Sequence, residues 1–219
     1  MVEKNLDQVR GRIAAAARAA GRDPSSIRLI CVTKGIPVDV IRQAVACGVS
    51  DLGENRVQEA DEKQRLFGHD RYIRWHMIGH LQRNKVKEAL EIFDLIHSVD
   101  RLELAESIQR SAEAMKRSVD LLVQVNAARI ESRFGASIEE TPALVEKIRR
   151  FDRLRVRGLM TMAPYADDPE TARPIFRRVK QLAAELNLTE LSMGMSSDFE
   201  AAVQEGATMV RIGTAVFKQ

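Results

Sequence analysis

Six residues that follow apolar segments could together bind a carbonyl compound that carries a phosphate group. They are Lys34, Ser196, Ser197, Arg211, Gly213 and Thr214. A partly desolvated lysine amine has a lowered pKa and can form a Schiff base with a carbonyl group. The serines, the glycine and the threonine suit an anion, because hydroxyl and backbone N–H groups can donate to it. An arginine could donate a hydrogen bond to a ring nitrogen of the same ligand.

The elements that position these residues follow from the way apolar runs alternate with amphipathic segments. Strands are predicted at 28–33, 49–52, 73–78, 93–97, 119–125, 155–160, 189–192 and 208–212. Helices are predicted at 2–20, 38–47, 56–66, 81–90, 101–116, 138–150, 169–186 and 198–205. Strands that alternate with helices imply right-handed crossovers and a parallel sheet. We therefore predict a (β/α)₈ TIM barrel as one domain over residues 1–219, with an open doubly wound α/β sheet as the alternative.

The candidate residues gather at one rim of this barrel, where the carboxyl ends of the strands meet. The segment GMSSDFEAAV follows the seventh strand and RIGTAVF ends the eighth, and loops at these two places often bind phosphate in barrels. Taken alone, Lys34 could be a solvated surface lysine, and either serine could be a helix N-cap. The grouping favours a binding site. The segment CVTKGIP also lacks the GxGxxG fingerprint, which argues against a dinucleotide fold.

The composition excludes several classes of protein. The chain has 219 residues, 45% of them hydrophobic and 30% charged, with a net charge of +3, which is typical of a folded globular chain. No apolar run approaches the roughly 18 residues that a membrane span requires. The N-terminus is charged, and the apolar segment of a secretory signal does not follow it. Aromatic residues make up 5%, so we expect no nucleic-acid platform. Cys31 and Cys47 are predicted to be buried free thiols, which favours the cytoplasm.

Two histidines, His76 and His80, are spaced like a pair of zinc ligands on a helix. The segment WHMIGHLQ is predicted to be a strand that runs into a helix, so we expect no metal there. His76 is predicted to pack inside the barrel wall and His80 to lie at the rim.

Eight motifs along the chain now indicate a family. CVTKGIP, DLGENRVQEA, WHMIGHLQRNK, HSVDRL, VNAARIESRFG, GLMTMAP, LSMGMSSDFEAAV and VRIGTAVF occur in this order from residue 31 to 217. They closely resemble the pyridoxal phosphate homeostasis proteins, which are single-domain relatives of the alanine racemase barrel. The resemblance implies a barrel like the N-terminal domain of alanine racemase, one pyridoxal 5'-phosphate (PLP) on a lysine, and a role in cofactor and amino-acid homeostasis.

The resemblance also implies a role for individual residues. The Schiff-base lysine falls on Lys34, the phosphate contacts fall on Ser196, Ser197, Gly213 and Thr214, the partner of the pyridine nitrogen falls on Arg211, and Asn55 lies near the cofactor. Three departures from the family pattern stand out. Thr33 and Gly35 replace the usual Ser and Thr, Arg133 replaces the usual lysine, and the chain ends VFKQ, where Lys218 would loosen the last helix or reflect a short C-terminus.

These observations favour a cytoplasmic PLP-binding protein of cofactor homeostasis without robust catalytic turnover. A PLP-dependent amino-acid racemase is the alternative, and a module that binds a phosphorylated ligand without a covalent bond is a third possibility. Barrel racemases of this kind use a tyrosine from an additional domain of a partner subunit, and here only Tyr165 lies near the rim. PLP-requiring apo-enzymes are the expected partners, and we expect a monomer, with a weak dimer as the alternative.

Overall fold

Eight parallel strands close into a barrel in the computed structural model, which describes residues 1–68, 70, 72–130 and 134–218. The strands are β1 (Arg28–Val32), β2 (Asp51–Glu54), β3 (Arg74–Met77), β4 (Leu95–Val99), β5 (Val119–Gln124), β6 (Leu154–Met160), β7 (Glu190–Ser192) and β8 (Met209–Ile212). Each strand pairs with its neighbours in the chain, and β1 pairs with β8. The predicted TIM barrel is confirmed, and the open sheet is wrong.

Helices connect the strands and surround the barrel. They are α1 (Val2–Ala19), α2 (Val38–Ala46), α3 (Val57–Phe67), α4 (Val86–Ile92), α5 (Leu102–Ala114), α6 (Thr141–Arg149), α7 (Arg173–Glu185), α8 (Phe199–Gln204) and α9 (Thr214–Phe217). Within the described ranges, none of these helices is both long and apolar enough to cross a bilayer.

Several element bounds differ from the sequence prediction. β2 starts two residues later than predicted, and α4, α6 and α7 start five, three and four residues later. β4 starts two residues later than predicted, because Phe93 still closes the last turn of α4 through an N–H bond to the carbonyl oxygen of Ala89 (2.9 Å). The short α9 was not predicted. The Asn5 side chain of α1 donates to the backbone oxygens of Val216 (3.0 Å) and Lys218 (3.3 Å), which ties the last turn to the opening helix.

The apolar core has an inner part and an outer part, because side chains alternate across the barrel wall. Ile30, Leu95, Leu122, Met160 and Met209 fill the inside of the barrel. A larger cluster lies between the strands and the helices, and it contains Cys31.

Both cysteines are free thiols, as predicted. Burial raises the pKa of Cys31 to about 12, so this thiol is unreactive. The prediction that both are buried is wrong for Cys47, which is half-buried at the end of α2.

Candidate functional site

Lys34 lies in the turn that follows β1, at the C-terminal end of the barrel. Thr33 extends the β1 ladder by donating its N–H to the carbonyl oxygen of Gly53 (3.0 Å), so the strand alternation continues toward the lysine. Lys34 therefore shares the inward side of Ile30. It is exposed, and it makes no hydrogen bond or ion pair to any residue that the structure describes. The amine is free for a ligand at the mouth of the barrel.

Three residues of β2 and α3, Glu54, Glu59 and Lys63, hold the backbone on both sides of Lys34, and we call them the Lys63 clamp. The Lys63 ammonium donates to the backbone oxygen of Thr33 (2.6 Å) and to Glu54 Oε1 (2.7 Å). Glu54 Oε1 also accepts the Thr33 hydroxyl at 2.6 Å. Burial raises the pKa of the Glu54 carboxyl, although Lys63 and Thr33 both donate to it. The residue before Lys34 is thus bound at its hydroxyl and at its carbonyl group.

The clamp also binds the residue after Lys34. Lys63 Nζ lies 2.7 Å from Glu59 Oε1, and the same oxygen accepts the Gly35 N–H at 2.6 Å. Gly35 has a φ of +68°, a conformation that glycine adopts at little cost. Burial opposes ionisation of Glu59, but the bonds from Lys63 and Gly35 outweigh it and lower its pKa. The backbone around Lys34 is fixed while its side chain stays free.

The loop after β7 and the start of α9 meet at one corner of the mouth. Ser196 is half-buried, and its Oγ accepts the backbone N–H of Ala215 at 3.4 Å. Ser197 and Thr214 are exposed beside it. Neither serine is a helix N-cap, since Asp198 holds the N-cap position of α8 and accepts the backbone N–H of Met195 (2.6 Å). The serine hydroxyls are therefore not used to cap that helix.

This corner lies directly beside the strand that ends at Lys34. β1 and β8 pair with Cys31 opposite Ile212, so the next residues, Val32 and Gly213, are neighbours. A Cβ atom on Gly213 would lie 3.1 Å from the carbonyl oxygen of Val32. A side chain at this position would therefore press against the backbone of β1. The candidate phosphate residues and Lys34 thus occupy adjacent strand ends.

Arg211 lies inside the barrel wall, one strand from Lys34 and opposite Ile30 in the pairing of β1 with β8. Its guanidinium donates from Nη1 to the Ser192 hydroxyl oxygen (2.6 Å) and from Nη2 to the carbonyl oxygen of Thr161 (2.9 Å). Burial lowers the pKa of Arg211 to about 10, which leaves it a cation at neutral pH. A guanidinium has five N–H donors, so these two bonds leave others for a ligand.

Asn55 lies on the other side of Lys34, just after β2. It lines a groove of about 420 Å³ together with Gly79 and His80. The backbones of Asn55 and Gly79 lie so close together that a Cβ atom on Gly79 would be 2.3 Å from the carbonyl oxygen of Asn55. The seven predicted site residues therefore fall on four consecutive strand ends, β7, β8, β1 and β2. Asn55 is separated from the serine corner by the turn that carries Lys34.

The remaining sequence predictions can also be placed. His76 is fully buried inside the barrel, as predicted, and His80 stacks on Phe134 with ring centroids 3.8 Å apart. The residues described contain no cluster of three or more His, Cys, Asp or Glu side chains that could hold a metal ion. Arg133 lies outside the described residues.

Sequence reasoning missed the residues that support the site. Lys63 lies on the face of α3 that also buries Val57 and Ala60, and a lysine at apolar helical spacing is a usable signal. His97 and Ser192 lie at alternate, inward positions of β4 and β7. Nothing in the short apolar runs around them indicates that Ser192 contacts Arg211 or that His97 contacts Ser192.

Comparison with known proteins agrees with this fold. Residues 5–219 match the model of the alanine racemase N-terminal domain, which covers nearly the whole chain. The pyridoxal phosphate homeostasis protein of Pseudomonas aeruginosa is 41% identical over 218 residues, or 99% of this chain and 94% of that protein. The protein of the same name from Aquifex aeolicus is 42% identical over 220 residues, or 98% of this chain and 96% of that protein.

A solved structure extends the likeness to three dimensions. PipY of Synechococcus elongatus, solved with PLP bound, superposes with a TM-score of 0.87 at 37% identity and covers 99% of this chain and 100% of that chain. The chain therefore belongs to the family of the pyridoxal phosphate homeostasis proteins, as the sequence motifs predicted.

Proposed function

We propose that this protein binds PLP at the mouth of the barrel and acts in the homeostasis of this cofactor. The observation that carries the proposal is the state of Lys34, whose backbone is fixed on both sides while its amine has no partner among the described residues. In the proposed complex Lys34 forms a Schiff base with the cofactor aldehyde. The PLP found in the related PipY structure supports the same ligand.

The other site residues suit the remaining parts of this cofactor. Gly213 and Thr214 follow β8, one strand from Lys34, and Ser196 and Ser197 follow β7, the next strand along the barrel. These four residues would bind the phosphate through hydroxyl and backbone N–H groups. Arg211 would donate to the pyridine nitrogen, and Asn55 would lie on the opposite side of the ring.

The same residues argue against robust turnover. Bound PLP supplies an electron sink, which is strongest when the ring nitrogen is protonated. Arg211 is cationic at neutral pH and can only donate to that nitrogen, so it disfavours protonation there. The two tyrosines are poorly placed to act as a second acid–base group. Tyr165 is 77% exposed, and Tyr72 lies before β3, at the opposite end of the barrel. Lys34 is then the one acid–base group that we assign to the site.

A racemase-like enzyme is the second candidate, since it would share the cofactor and Lys34. Incubation with D- and L-amino acids in deuterated buffer separates the two. We expect negligible exchange at Cα. Exchange at ordinary enzymic rates that disappears in Lys34→Ala would establish the enzyme instead.

Cofactor binding itself is tested by titrating the purified protein with PLP and following its visible absorption. We expect a stoichiometric change in the wild type and in the control Lys85→Ala, whose lysine lies in the groove beyond Asn55, but not in Lys34→Ala. A wild-type protein that stays colourless while it binds other phosphorylated compounds would favour a noncovalent phosphate-binding module.

The proposed setting is the cytoplasm, where the protein would act as a monomer and pass PLP to apo-enzymes that require it. The half-exposed position of the site, with Lys34 and Thr214 open to solvent, suits a cofactor that must leave again. Mixing the loaded protein with such an apo-enzyme should activate it faster than the same concentration of PLP released into solution.

A further inference from the structure

A row of buried polar side chains crosses the interior of the barrel and ends at Arg211. Arg211 Nη1 lies 2.6 Å from Ser192 Oγ, which lies 2.9 Å from His97 Nδ1. His97 Nε2 lies 3.0 Å from His76 Nδ1, and His76 Nε2 lies 2.9 Å from Asp51 Oδ1. We call Ser192, His97, His76 and Asp51 the histidine chain. All of its members are buried, three of them completely.

The two ends of the row decide the direction of every hydrogen bond in it. A guanidinium can only donate, and an ionised carboxylate can only accept. Ser192 therefore accepts from Arg211 and donates its hydroxyl proton to His97 Nδ1. His97 must then donate from Nε2 to His76 Nδ1, and His76 must donate from Nε2 to the Asp51 carboxylate. Both imidazoles are neutral in this arrangement and carry their proton on Nε2.

The acceptor end is an ionised carboxylate. Burial opposes ionisation of Asp51, but hydrogen bonds from His76 and Ser50 outweigh it and lower its pKa. Arg28 and Arg74 face the same oxygen at 3.7 and 3.8 Å. Asp51 is the first residue of β2, so the chain begins at the end of the barrel opposite Lys34.

The reversed arrangement would require an imidazolium inside the barrel. His97 would donate to the serine, and His76 would have to carry protons on both nitrogens. Burial lowers the pKa of both histidines, and the cations Arg28, Arg74 and Arg211 face them from β1, β3 and β8. These surroundings therefore favour the arrangement in which each group donates toward Asp51 and both imidazoles are neutral.

We propose that Ser192, His97 and His76 are positioning residues that aim the Arg211 guanidinium at the pyridine nitrogen of the cofactor. This inference rests on the proposed function for the identity of the ligand. Ser192 and the Thr161 carbonyl group bind two different nitrogens of the guanidinium, so together they fix its plane. The histidine chain holds the serine hydroxyl in its donating orientation, which leaves its lone pair directed at Arg211.

The proton positions can be measured without the cofactor. In the cofactor-free wild type, two-bond ¹H–¹⁵N correlation spectra of the imidazole rings near pH 7 should show His76 and His97 as neutral Nε2–H tautomers. A proton on Nδ1 of His97, or a charged His76, would overturn the proposed direction of the chain.

The effect on the site is measured with two substitutions of one residue. His97→Gln keeps an acceptor toward Ser192 and a donor toward His76, whereas His97→Leu removes both. We expect PLP to dissociate at least tenfold more readily from His97→Leu, with an altered absorption spectrum of the bound cofactor. His97→Gln should remain within about threefold of the wild type.

Folding of each variant is checked by circular dichroism, and Ser192→Ala provides the same test if His97→Leu does not fold. A folded His97→Leu or Ser192→Ala protein with wild-type affinity and spectrum would overturn the positioning role. If the wild type binds no PLP, the proposed function fails and the role toward the ring nitrogen fails with it, whereas the tautomers still decide the direction of the chain.

Discussion

The Lys63 clamp and the histidine chain support neighbouring parts of the mouth in different ways. The clamp lies outside the barrel wall, between β2 and α3, and its three members can all carry charge. The histidine chain lies inside the barrel, and apart from the Asp51 carboxylate at its end its members are neutral. The clamp binds backbone around Lys34, whereas the chain binds the side chain of Arg211.

This difference follows from the position of the residue that each network supports. Lys34 lies in a turn beyond the strand, so its backbone is not held by the sheet ladder and needs other partners. Arg211 lies within β8, where the ladder already fixes the backbone and only the guanidinium needs orientation. Neutral imidazoles avoid the cost of placing further charges inside a barrel that already contains arginines.

Removal of the clamp lysine should have the largest effect on stability. Lys63→Met leaves Glu54 buried without its cationic partner, and loss of one member of a buried ion pair costs about 3–5 kcal/mol. Chemical denaturation should show this decrease in the free energy of unfolding. The control Lys85→Met, which loses an ion pair with Glu88, should change by less than about 1 kcal/mol.

The double variant Lys63→Met with Glu54→Gln sharpens this test, because it removes the unpaired charge. It should recover part of the lost stability. A decrease as large as that of the single variant would mean that packing around Lys63, and not its charge, supports the turn.

A change at the serine corner should affect cofactor affinity and leave both networks in place. Ser196→Ala removes a hydroxyl that would donate to the phosphate, and a hydrogen bond to a charged group contributes about 1.5–3 kcal/mol. Equilibrium dialysis should show weaker binding of PLP, by roughly ten- to 150-fold, and little change for pyridoxal without phosphate. Equal losses for both compounds would mean that the phosphate binds elsewhere.

The neutral histidines predict a pH dependence of stability that the clamp does not share. His97 has a lowered pKa in the folded protein, so the unfolded chain takes up a proton near pH 6.5 that the folded chain does not. The contribution of His97 to the free energy of unfolding is therefore present above this pH. It is lost as the pH falls further, by up to about 1.4 kcal/mol per pH unit. His97→Gln should remove this contribution, about 1 kcal/mol between pH 6.5 and 5.5, as measured by urea unfolding. An unchanged slope would contradict a neutral His97.

Much of the fold could be predicted because apolar runs and helices alternate at regular spacing. The end of β1 and the segments MSSD and RIGT were then placed at one rim by the rule that parallel strands end together. Lys63, His97 and Ser192 could not be connected to the site in this way. The contacts of His97 and Ser192 depend on which side of the barrel wall each residue faces, and a shift of one residue reverses that assignment. The predicted bounds of β2 and β4 are each in error by two residues, which exceeds the one-residue precision that this assignment needs. The contacts of Lys63 depend on how α3 packs against β2.

The central claim is that Lys34 is the residue that binds the cofactor covalently. Reduction of the PLP-loaded protein with borohydride, followed by proteolysis and mass spectrometry, locates the modified residue directly. We predict one pyridoxyl group, on the peptide that contains Lys34, and none in Lys34→Ala that still folds. A pyridoxyl group on a different lysine, or its persistence in Lys34→Ala, would contradict the account.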